Sequence, residues 1–419
     1  MVTDSRVLVV GTTADYIDWI RKSRPGSALF LTEERIRRTS SEPVPAPDEE
    51  VLYKLTEINN APHLLREHTR RWKIQLEGVA CYDCESLSAA SRLAEEFDLA
   101  FPSPEVIANC RSKYQSKALW KKHGVNCSDF QLISSAEAAW SFAKEHSNSC
   151  VLKPVFGSGS ELTFRCHSQE DCDNAFDHFY AGGQQGKTPV DSHNDLKKEI
   201  VLVESVIDGK EYSCDCLINN GRAELIRLTA KLSTPAAPFG TTLGYTLISP
   251  PEELATSHFL DQLVTAAAAL GIHHAICMVD FIVAGTDIYF LEVTPRIGGD
   301  CLPHLIRSVH GIDMLALALD FARGDSAAAR QRIDTCNFGV GLRIFAHKEG
   351  NLHGVDTNNL KNDPRVLEIN ITRKAGHKII LPPEDYDSWL LGYVIFVPGA
   401  GTGTKHQCME ILQSIHMDI

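Results

Sequence analysis

The strongest constraint on the fold of this 419-residue chain is a predicted β-hairpin that carries one acidic side chain on each strand. Two apolar runs, 277–284 and 288–293, flank a Gly-Thr-Asp turn. Such a pattern is typical of two paired antiparallel strands. With the turn centred on its threonine, Asp280 and Glu292 face each other across the pair. Thr294 lies on the same face as Glu292, because side chains alternate along a strand.

An acidic pair of this kind predicts a metal site. Two carboxylates about 4 Å apart repel by roughly 4 kcal/mol at an effective dielectric constant near 20, and like charges opposite each other destabilise a strand pair. A divalent cation removes the repulsion, and Mg²⁺ fits best because it takes one or two carboxylates and completes its shell with phosphate and water. The alternative is a pair that faces solvent or is neutralised by a basic neighbour. The tail 295–299 favours the metal, since Arg296 and two glycines suit an anionic substrate.

Composition excludes several classes of protein. Hydrophobic residues make up 43% of the chain and charged residues 23%, which predicts a globular protein. A length of 419 residues predicts two or three domains. Lys and Arg number 41 and Asp and Glu 54, for a net charge of −13, which argues against nucleic acid or an anionic membrane as a partner. No apolar run has the length of a membrane span, and the N-terminus leads into a strand without a signal peptide, so a cytoplasmic location is expected.

The thirteen cysteines are odd in number and scattered, which is typical of reduced thiols. Cys81 and Cys84 form an isolated CxxC, and Cys214 and Cys216 alternate along a strand. Neither has a second pair at zinc-site spacing, so buried or incidental thiols are predicted rather than a metal or redox site.

Hydrophobic periodicity organises the rest of the chain. Buried-strand runs alternate with helical patterns over the first hundred residues and predict a small α/β unit, without the GxGxxG of a dinucleotide site. Prolines at 102 and 104 mark a boundary, and a single helix over 105–122 is predicted to follow. The polar, glycine-rich stretch 182–195 predicts a mobile loop. From about residue 336, short strands, turns and a final helix are expected.

A second set of residues favours phosphate binding. Lys153 ends an apolar strand directly before the Gly-Ser-Gly-Ser sequence 157–160. A lysine leaving such a strand needs an anion, because an unpaired buried ammonium is very costly, and small residues let backbone N–H groups wrap phosphate oxygens. Lys113 either reaches the same anion or lies on a solvated helix face. Glu204 and Glu211 are strand-end carboxylates suited to an amino group or to ribose hydroxyls.

In order and spacing, these residues resemble the ATP-grasp superfamily, closely so over residues 105–325. The motifs that carry the resemblance are Arg111-Ser-Lys113, Val151-Leu-Lys153-Pro, Val203-Glu-Ser-Val-Ile-Asp-Gly-Lys-Glu211-Tyr-Ser and Leu291-Glu-Val-Thr-Pro-Arg296-Ile-Gly-Gly. The sequence departs from the family at Thr294, where the family usually has an asparagine that binds the metal.

The resemblance implies an α/β (α+β) fold in three parts. These are an N-terminal Rossmann-like pre-ATP-grasp domain (1–104), an ATP-grasp domain (105–330) with a nucleotide-binding lid at about 135–207, and a small C-terminal α+β domain (331–419) that completes the substrate site.

The resemblance also implies ATP and Mg²⁺ as cofactors, with Mn²⁺ able to replace Mg²⁺. It makes Lys153 and Arg296 catalytic, and Asp280 and Glu292 metal ligands with Thr294 as a weaker third. The nucleotide-binding residues that it implies are Lys113, Lys153, Ser158, Gly159, Ser160, Glu204, Val206, Glu211 and Lys231.

The C-terminal segment, including Asn337-Phe-Gly-Val-Gly-Leu-Arg343 and Lys374-Ala-Gly376-His, more loosely resembles bacterial L-amino-acid ligases. That resemblance implies a homodimeric ligase that uses ATP to form an amide bond between an amino acid or small carboxylate and an amino-acid amine. The reaction passes through an acylphosphate and releases ADP and phosphate, as in the biosynthesis of dipeptides or antibiotics. A biotin-carboxylase-like or purine-pathway ATP-grasp enzyme is the alternative, and a non-catalytic nucleotide-binding module is a third hypothesis.

Overall fold

The computed structural model of the chain describes residues 4–182, 200–251, 254, 257–325 and 338–419. The α-helices of this part are α1 (Ala14–Ser23), α2 (Glu34–Thr39), α3 (Ala61–Trp72), α4 (Leu87–Glu96), α5 (Pro104–Arg111), α6 (Lys113–Lys122), α7 (Ala136–Glu145), α8 (Gln169–Gly182), α9 (Ser257–Ala269), α10 (Leu302–His310), α11 (Met314–Ala322) and α12 (Thr404–Gln413). The strands are β1 (Asp4–Val10), β2 (Ala28–Glu33), β3 (Glu50–Tyr53), β4 (Ile74–Ala80), β5 (Phe130–Ile133), β6 (Cys150–Pro154), β7 (Phe164–Cys166), β8 (Val201–Ser205), β9 (Lys210–Asn219), β10 (Arg222–Leu232), β11 (Gly244–Leu247), β12 (His274–Ala284), β13 (Asp287–Thr294), β14 (Val340–Phe345), β15 (Gly350–Asn351), β16 (Gly354–Asp356), β17 (Val366–Ile371), β18 (Lys378–Ile379), β19 (Leu390–Phe396) and β20 (His416–Asp418).

The N-terminal unit is a parallel sheet in the order β3-β2-β1-β4. Its central strands are continuous apolar runs, Val7–Val10 and Ala28–Leu31, and every residue of both runs is buried. A strand that is buried on both faces needs such a run, because helices cover both sides of a parallel sheet. The α/β organisation predicted for the first hundred residues is therefore confirmed.

A smaller antiparallel sheet, β5-β8-β6-β7, packs against α7 and α8. Its apolar core includes the buried thiols Cys150, Cys166 and Cys172. Lys153 lies on β6 and Glu204 on the neighbouring β8, where Glu204 is opposite Val151. Because residues two apart share a face of the sheet, Lys153 and Glu204 project from the same face.

The largest sheet has the order β13-β12-β9-β10-β11-β14-β19-β17 and is antiparallel. The predicted hairpin, β12 and β13, forms one edge. One cluster of buried side chains joins the sheet to α6 and α9, and another joins it to α1 and α11. Strands from both sides of the undescribed segment 326–337 share this sheet, because β11 pairs with β14.

The prediction of a single helix over 105–122 is wrong, because Ser112 separates α5 from α6. Ser112 has extended backbone angles, φ −90° and ψ 108°, and its hydroxyl oxygen accepts a hydrogen bond from the Gln115 N–H at 3.2 Å. A serine in this position caps the helix that follows it. Lys113 thus begins a new helix, and its backbone N–H donates to the Val155 carbonyl at 3.0 Å.

Two other predictions fall mostly or wholly outside the described residues: the loop at 182–195, from residue 183 onwards, and the domain boundary between 330 and 331. The domain division stays a prediction. Within the described part, the helices are too short or too polar to cross a membrane.

Candidate active site

The acidic pair of the hairpin lies as the sequence predicts. Asp280 on β12 is the register partner of Glu292 on β13. One carboxylate oxygen of Asp280, Oδ1, is buried and has no hydrogen-bond partner among the described residues. Glu292 Oε1 accepts a hydrogen bond from the Thr294 hydroxyl at 3.0 Å, so Thr294 lies beside the acidic pair. A buried carboxylate oxygen without a partner is costly, and it fits a cation that completes the site.

A lysine neutralises part of this charge. Lys231 Nζ donates to Asp280 Oδ2 at 3.1 Å and to Glu211 Oε1 at 2.5 Å. Burial alone would lower the pKa of Lys231, but Asp280 and Glu211 outweigh burial and raise it, so the side chain stays charged. Two residues predicted to bind nucleotide, Glu211 and Lys231, therefore lie in one ion cluster with the predicted metal ligand Asp280. The alternative of a basic neighbour therefore holds for one oxygen of Asp280, while the other has no hydrogen-bond partner among the described residues.

Two lysines from different elements, Lys153 on β6 and Lys117 on α6, lie on either side of one buried carboxylate. Lys153 Nζ lies 2.7 Å from Glu204 Oε1, and Lys117 Nζ lies 3.3 Å from Glu204 Oε2. The Ser128 hydroxyl also donates to Glu204 at 2.8 Å. Burial would raise the pKa of Glu204, yet the two lysines lower it to about 2, so the group is ionised at neutral pH. The carboxylate of Glu204 is thus bound by protein groups, and its contact with nucleotide stays a prediction.

Lys113 at the start of α6 is a third lysine near the glycine-containing loop. Its Nζ donates to the Gly157 carbonyl at 2.9 Å. Its pKa is lowered to about 8, chiefly by burial; the charge of Glu292 opposes the shift and the charge of Lys153 adds to it. The hypothesis of a solvated helix face is wrong for this residue, since the ammonium points towards the glycine-containing loop.

The glycine-containing loop after β6 adopts backbone angles that favour glycine. Gly157 and Gly159 have φ of +123° and +68°, and Ser160 has φ of +60°. A Cβ at either glycine would meet no atom within 4 Å, so the backbone angle and not crowding calls for glycine. The Ser158 hydroxyl donates to Glu85 Oε1 at 2.8 Å. Val206 follows β8 directly, on the chain that leads to Glu211.

Arg296 follows β13 in a tight turn that other buried groups hold in place. The Arg296 backbone N–H donates to the Thr294 carbonyl at 2.8 Å. The Gly298 N–H donates to Asp215 Oδ1 at 2.9 Å, and Asp215 is itself paired with the buried Arg227 at 2.8 Å. A Cβ at Gly298 would lie 2.5 Å from Arg227 Nη2, so glycine is required there by close approach.

The Arg296 guanidinium contacts a cysteine from the N-terminal unit. Its Nε and Nη2 donate to Cys84 Sγ at 3.1 and 3.0 Å, and its Nη1 donates to the Ile297 carbonyl at 2.6 Å. Burial would lower the pKa of Arg296, but Cys84 and Glu292 outweigh burial and raise it. The structure thus places a fixed cation close to the acidic pair, as the sequence predicts.

Sequence reasoning missed four residues of this region: Lys117, Cys84, Asp300 and Arg343. Arg343 on β14 lies 2.9 Å from Asp300 Oδ2, just beyond the two glycines that follow Arg296. Asp300 has φ of +59°, which is uncommon for a residue with a side chain. Lys117 could have been found from its i, i+4 spacing to Lys113, which puts both on one helix face. The other three residues contact partners far apart in sequence, Cys84 with Arg296 and Asp300 with Arg343, and leave no local pattern.

Comparison with known proteins agrees with this geometry. Residues 146–304 match a family described as the ATP-grasp domain. The fold is similar to that of an L-amino acid ligase from Bacillus licheniformis, with a TM-score of 0.78 and 18% identity over 99% of this chain and 98% of that chain. It is also similar to a phosphoribosylglycinamide synthetase from Anaerococcus prevotii, with a TM-score of 0.65 and 17% identity over 99% and 100% of the two chains.

Two curated proteins are similar in sequence. One is the uncharacterized protein y4rH of Sinorhizobium fredii, which is 21% identical over 365 residues, or 87% of this chain and 73% of that protein. The other is the L-arginine-specific L-amino acid ligase of Bacillus subtilis, which is 25% identical over 147 residues, or 35% of this chain and 33% of that protein. At these identities the similarity establishes the fold, while the reaction and its substrates require their own argument.

Proposed function

We propose that this chain, which has the ATP-grasp fold, is an ATP-dependent ligase that joins the carboxylate of an amino acid or small acid to the amine of an amino acid. The observation that carries the proposal is the buried Oδ1 of Asp280, which lies opposite Glu292 and has no partner in the described part of the chain, beside a fixed guanidinium. A site with two acids for a metal and cations for phosphate suits phosphoryl transfer. Similarity to two L-amino acid ligases supports amino acids as the substrates.

Asp280 and Glu292 would hold Mg²⁺, or Mn²⁺ in its place, with the Thr294 hydroxyl as a weaker third ligand. Their fit rests on the free Oδ1 of Asp280 and on the hydroxyl that already bonds to Glu292. When bound, the metal neutralises charge on the phosphates of the nucleotide. Lys231 keeps the second oxygen of Asp280 occupied and so leaves Oδ1 for the metal.

The lysines of the lid and of α6 would bind the phosphates of ATP. Lys113 Nζ already donates to the Gly157 carbonyl, and Lys153 lies on β6 directly before the glycine-containing loop. The backbone of Ser158, Gly159 and Ser160 would add N–H donors. The residues that we propose for adenine and ribose are Glu204, Val206, Glu211 and Lys231. Glu211 and Lys231 already form one ion cluster, which suits a polar ribose.

Arg296 would bind the carboxylate substrate and the acylphosphate formed from it. The γ-phosphoryl group of ATP moves to a carboxylate oxygen, which gives ADP and an acylphosphate. The amine then attacks the acyl carbon, the C–O bond breaks, phosphate leaves and the amine loses a proton. Positioned cations stabilise the negative charge that develops on the reacting groups in both steps. Loss of one charged hydrogen-bond partner here should cost about 1.5–3 kcal/mol.

A panel assay tests the proposal directly. The protein is incubated with ATP, Mg²⁺ and pairs of amino acids, ADP is measured and amides are identified by mass spectrometry. We expect ADP release that needs both amino acids and equals the amide formed, and its loss in Glu292→Gln and in Lys153→Ala. ADP release driven by bicarbonate would favour the carboxylase-like alternative. Nucleotide binding without ADP formation would favour a binding module, and silence across the panel contradicts the ligase.

We also propose a cytoplasmic homodimer of three domains, 1–104, 105–330 and 331–419. The predicted absence of nucleic-acid and membrane partners belongs to the same proposal. The net charge of −13 supports it. Small-molecule substrates follow from the ligase itself.

A further inference from the structure

Cys84 is a buried residue of the N-terminal unit whose contacts lie in the candidate active site. It follows β4, and 4% of its surface is exposed. Its sulfur accepts hydrogen bonds from two nitrogens of Arg296, a residue 212 positions later in the chain. Cys81 and Cys84 are both free thiols in the structure, and the Cys81 thiol donates to the Asp83 carbonyl.

The contact fixes one edge of the guanidinium. An arginine has five N–H donors in a rigid, planar arrangement. Nε and Nη2 donate to Cys84, and Nη1 donates to the Ile297 carbonyl. These three bonds hold the plane of the group and leave one N–H on each terminal nitrogen for a ligand.

The acceptor that fixes this edge carries no charge. Burial raises the pKa of the Cys84 thiol, although Arg296 acts in the opposite direction, so the thiol is protonated at neutral pH. A thiol is a weak acceptor. An aspartate at the same position would form a stronger, charge-assisted pair and would neutralise the guanidinium before an anionic substrate arrived.

We propose that Cys84 is a positioning residue that aims the guanidinium of Arg296 and leaves its positive charge available to the anionic substrate. The inference rests on the substrate-binding role proposed for Arg296. If Cys84 were only a core residue that fills space, its replacement would affect stability and not the binding of the carboxylate substrate. The two roles therefore differ in what a substitution changes.

Three substitutions at this position separate the two roles. Cys84→Ser keeps a small neutral acceptor, Cys84→Ala removes the acceptor, and Cys84→Asp adds a charged one. Cys408→Ala, at a thiol of similar burial in the C-terminal part, is the matched control. Crystal structures of the wild type and the variants locate the guanidinium, and steady-state ADP release gives KM separately for ATP and for the carboxylate substrate.

We expect Cys84→Ala to raise the KM for the carboxylate by about tenfold, the lower end for loss of a charged hydrogen bond, with the KM for ATP unchanged. Cys84→Ser should stay close to the wild type. Cys84→Asp should bind the carboxylate substrate more weakly than Cys84→Ser. The aspartate accepts the hydrogen bonds of Arg296, but its negative charge neutralises the guanidinium that would bind the substrate. Cys408→Ala should change neither KM.

The inference is overturned if the guanidinium keeps its place in Cys84→Ala, or if Cys84→Asp binds the carboxylate as well as Cys84→Ser does. If Cys84→Ala does not fold, the serine and aspartate variants decide by the same comparison. If no carboxylate supports ADP release, the proposed function fails, while the crystal structures still decide whether Cys84 positions Arg296.

Discussion

Asp280 combines two roles through its two oxygens. Oδ2 forms an ion pair with Lys231 at 3.1 Å, and Oδ1 is buried without a partner among the described residues. The lysine reduces the repulsion between Asp280 and Glu292, so the hairpin can fold before a metal binds. The second oxygen is where the proposed metal would bind.

Asp280→Asn should therefore retain the fold and lose metal-dependent activity. We expect ADP release to fall by about a hundredfold or more, because a bound metal supplies several kcal/mol of charge stabilisation. Mn²⁺ binding, followed by electron paramagnetic resonance, should weaken in parallel. Asp287→Asn, at an exposed position on the same hairpin, is the control and should change neither quantity. Normal ADP release from Asp280→Asn would contradict the metal assignment.

Lys113 should give nucleotide binding a pH dependence. Its pKa is lowered by burial to about 8 from an ordinary 10.5, so the folded protein loses this proton as the pH rises through 8. Between pH 8 and 10.5 the unfolded chain binds the extra proton, so this group adds stability as the pH rises while its charge for phosphate is lost. We expect the Kd for ADP to rise about tenfold from pH 7 to pH 9.

Lys113→Arg is the matched variant for this measurement, because an arginine stays charged over the same range. Its Kd for ADP, measured by calorimetry, should be nearly constant between pH 7 and pH 9. An equally steep dependence in the arginine variant would assign the titration to another group.

At the scale of elements, the small sheet β5-β8-β6-β7 is joined to α6 through a buried carboxylate. Glu204 on β8 lies between Lys153 on β6 and Lys117 on α6. Lys117 is fully buried and Glu204 is 3% exposed. Burial lowers the pKa of Lys117, which Glu204 opposes, so each charge depends on the other. The small sheet and α6 are thus held together by ion pairs, and removing the charge of Glu204 would leave the charges of Lys117 and Lys153 without their partner.

Glu204→Gln should destabilise the protein strongly. It leaves the buried Lys117 and the partly buried Lys153 without their anion, and breaking a buried ion pair from one side costs about 3–5 kcal/mol. Urea denaturation measures the effect. Asp129→Asn, in an exposed pair with Lys121, is the control and should cost at most about 1 kcal/mol. Similar denaturation midpoints for the two variants would show that Glu204 is not under this constraint.

The elements also show where prediction from sequence succeeds. The hairpin was predictable because a turn and a period of two fix which side chains face each other, and Asp280 and Glu292 are register partners. The break between α5 and α6 could not be predicted, because good helix formers stand on both sides of Ser112. Only the hydrogen bond from the Gln115 N–H to the Ser112 hydroxyl reveals the break. The clustering of Glu204 with Lys117 joins residues of different elements, and no local periodicity encodes such a contact.

At the scale of the whole molecule, one sheet runs from the acidic hairpin into the C-terminal part. β13 is at one edge, β17 at the other, and the junction is the pair β11–β14. Arg343 on β14 reaches back to Asp300, beyond the turn that carries Arg296. The sequence predicted a C-terminal α+β domain that completes the substrate site, but it did not predict this continuous sheet, because pairing between distant strands depends on packing and not on local pattern.

Gly244→Ala tests whether the junction holds the molecule together. A Cβ at Gly244 would lie 2.6 Å from the Gly341 carbonyl oxygen, so β11 and β14 would have to separate. We expect a loss of about 1–3 kcal/mol, as for other overpacked positions, measured from denaturation midpoints. ADP release should fall as well, because β14 carries Arg343.

Gly354→Ala is the matched control, since a Cβ there would meet no atom within 4 Å. It should stay within about 0.5 kcal/mol of the wild type, as surface substitutions usually do. If Gly244→Ala keeps both stability and ADP release, the sheet is not continuous in solution and the C-terminal strands act independently of the site. If it loses both while Gly354→Ala loses neither, the C-terminal part supports the site through this sheet and must be kept in any active form of the protein.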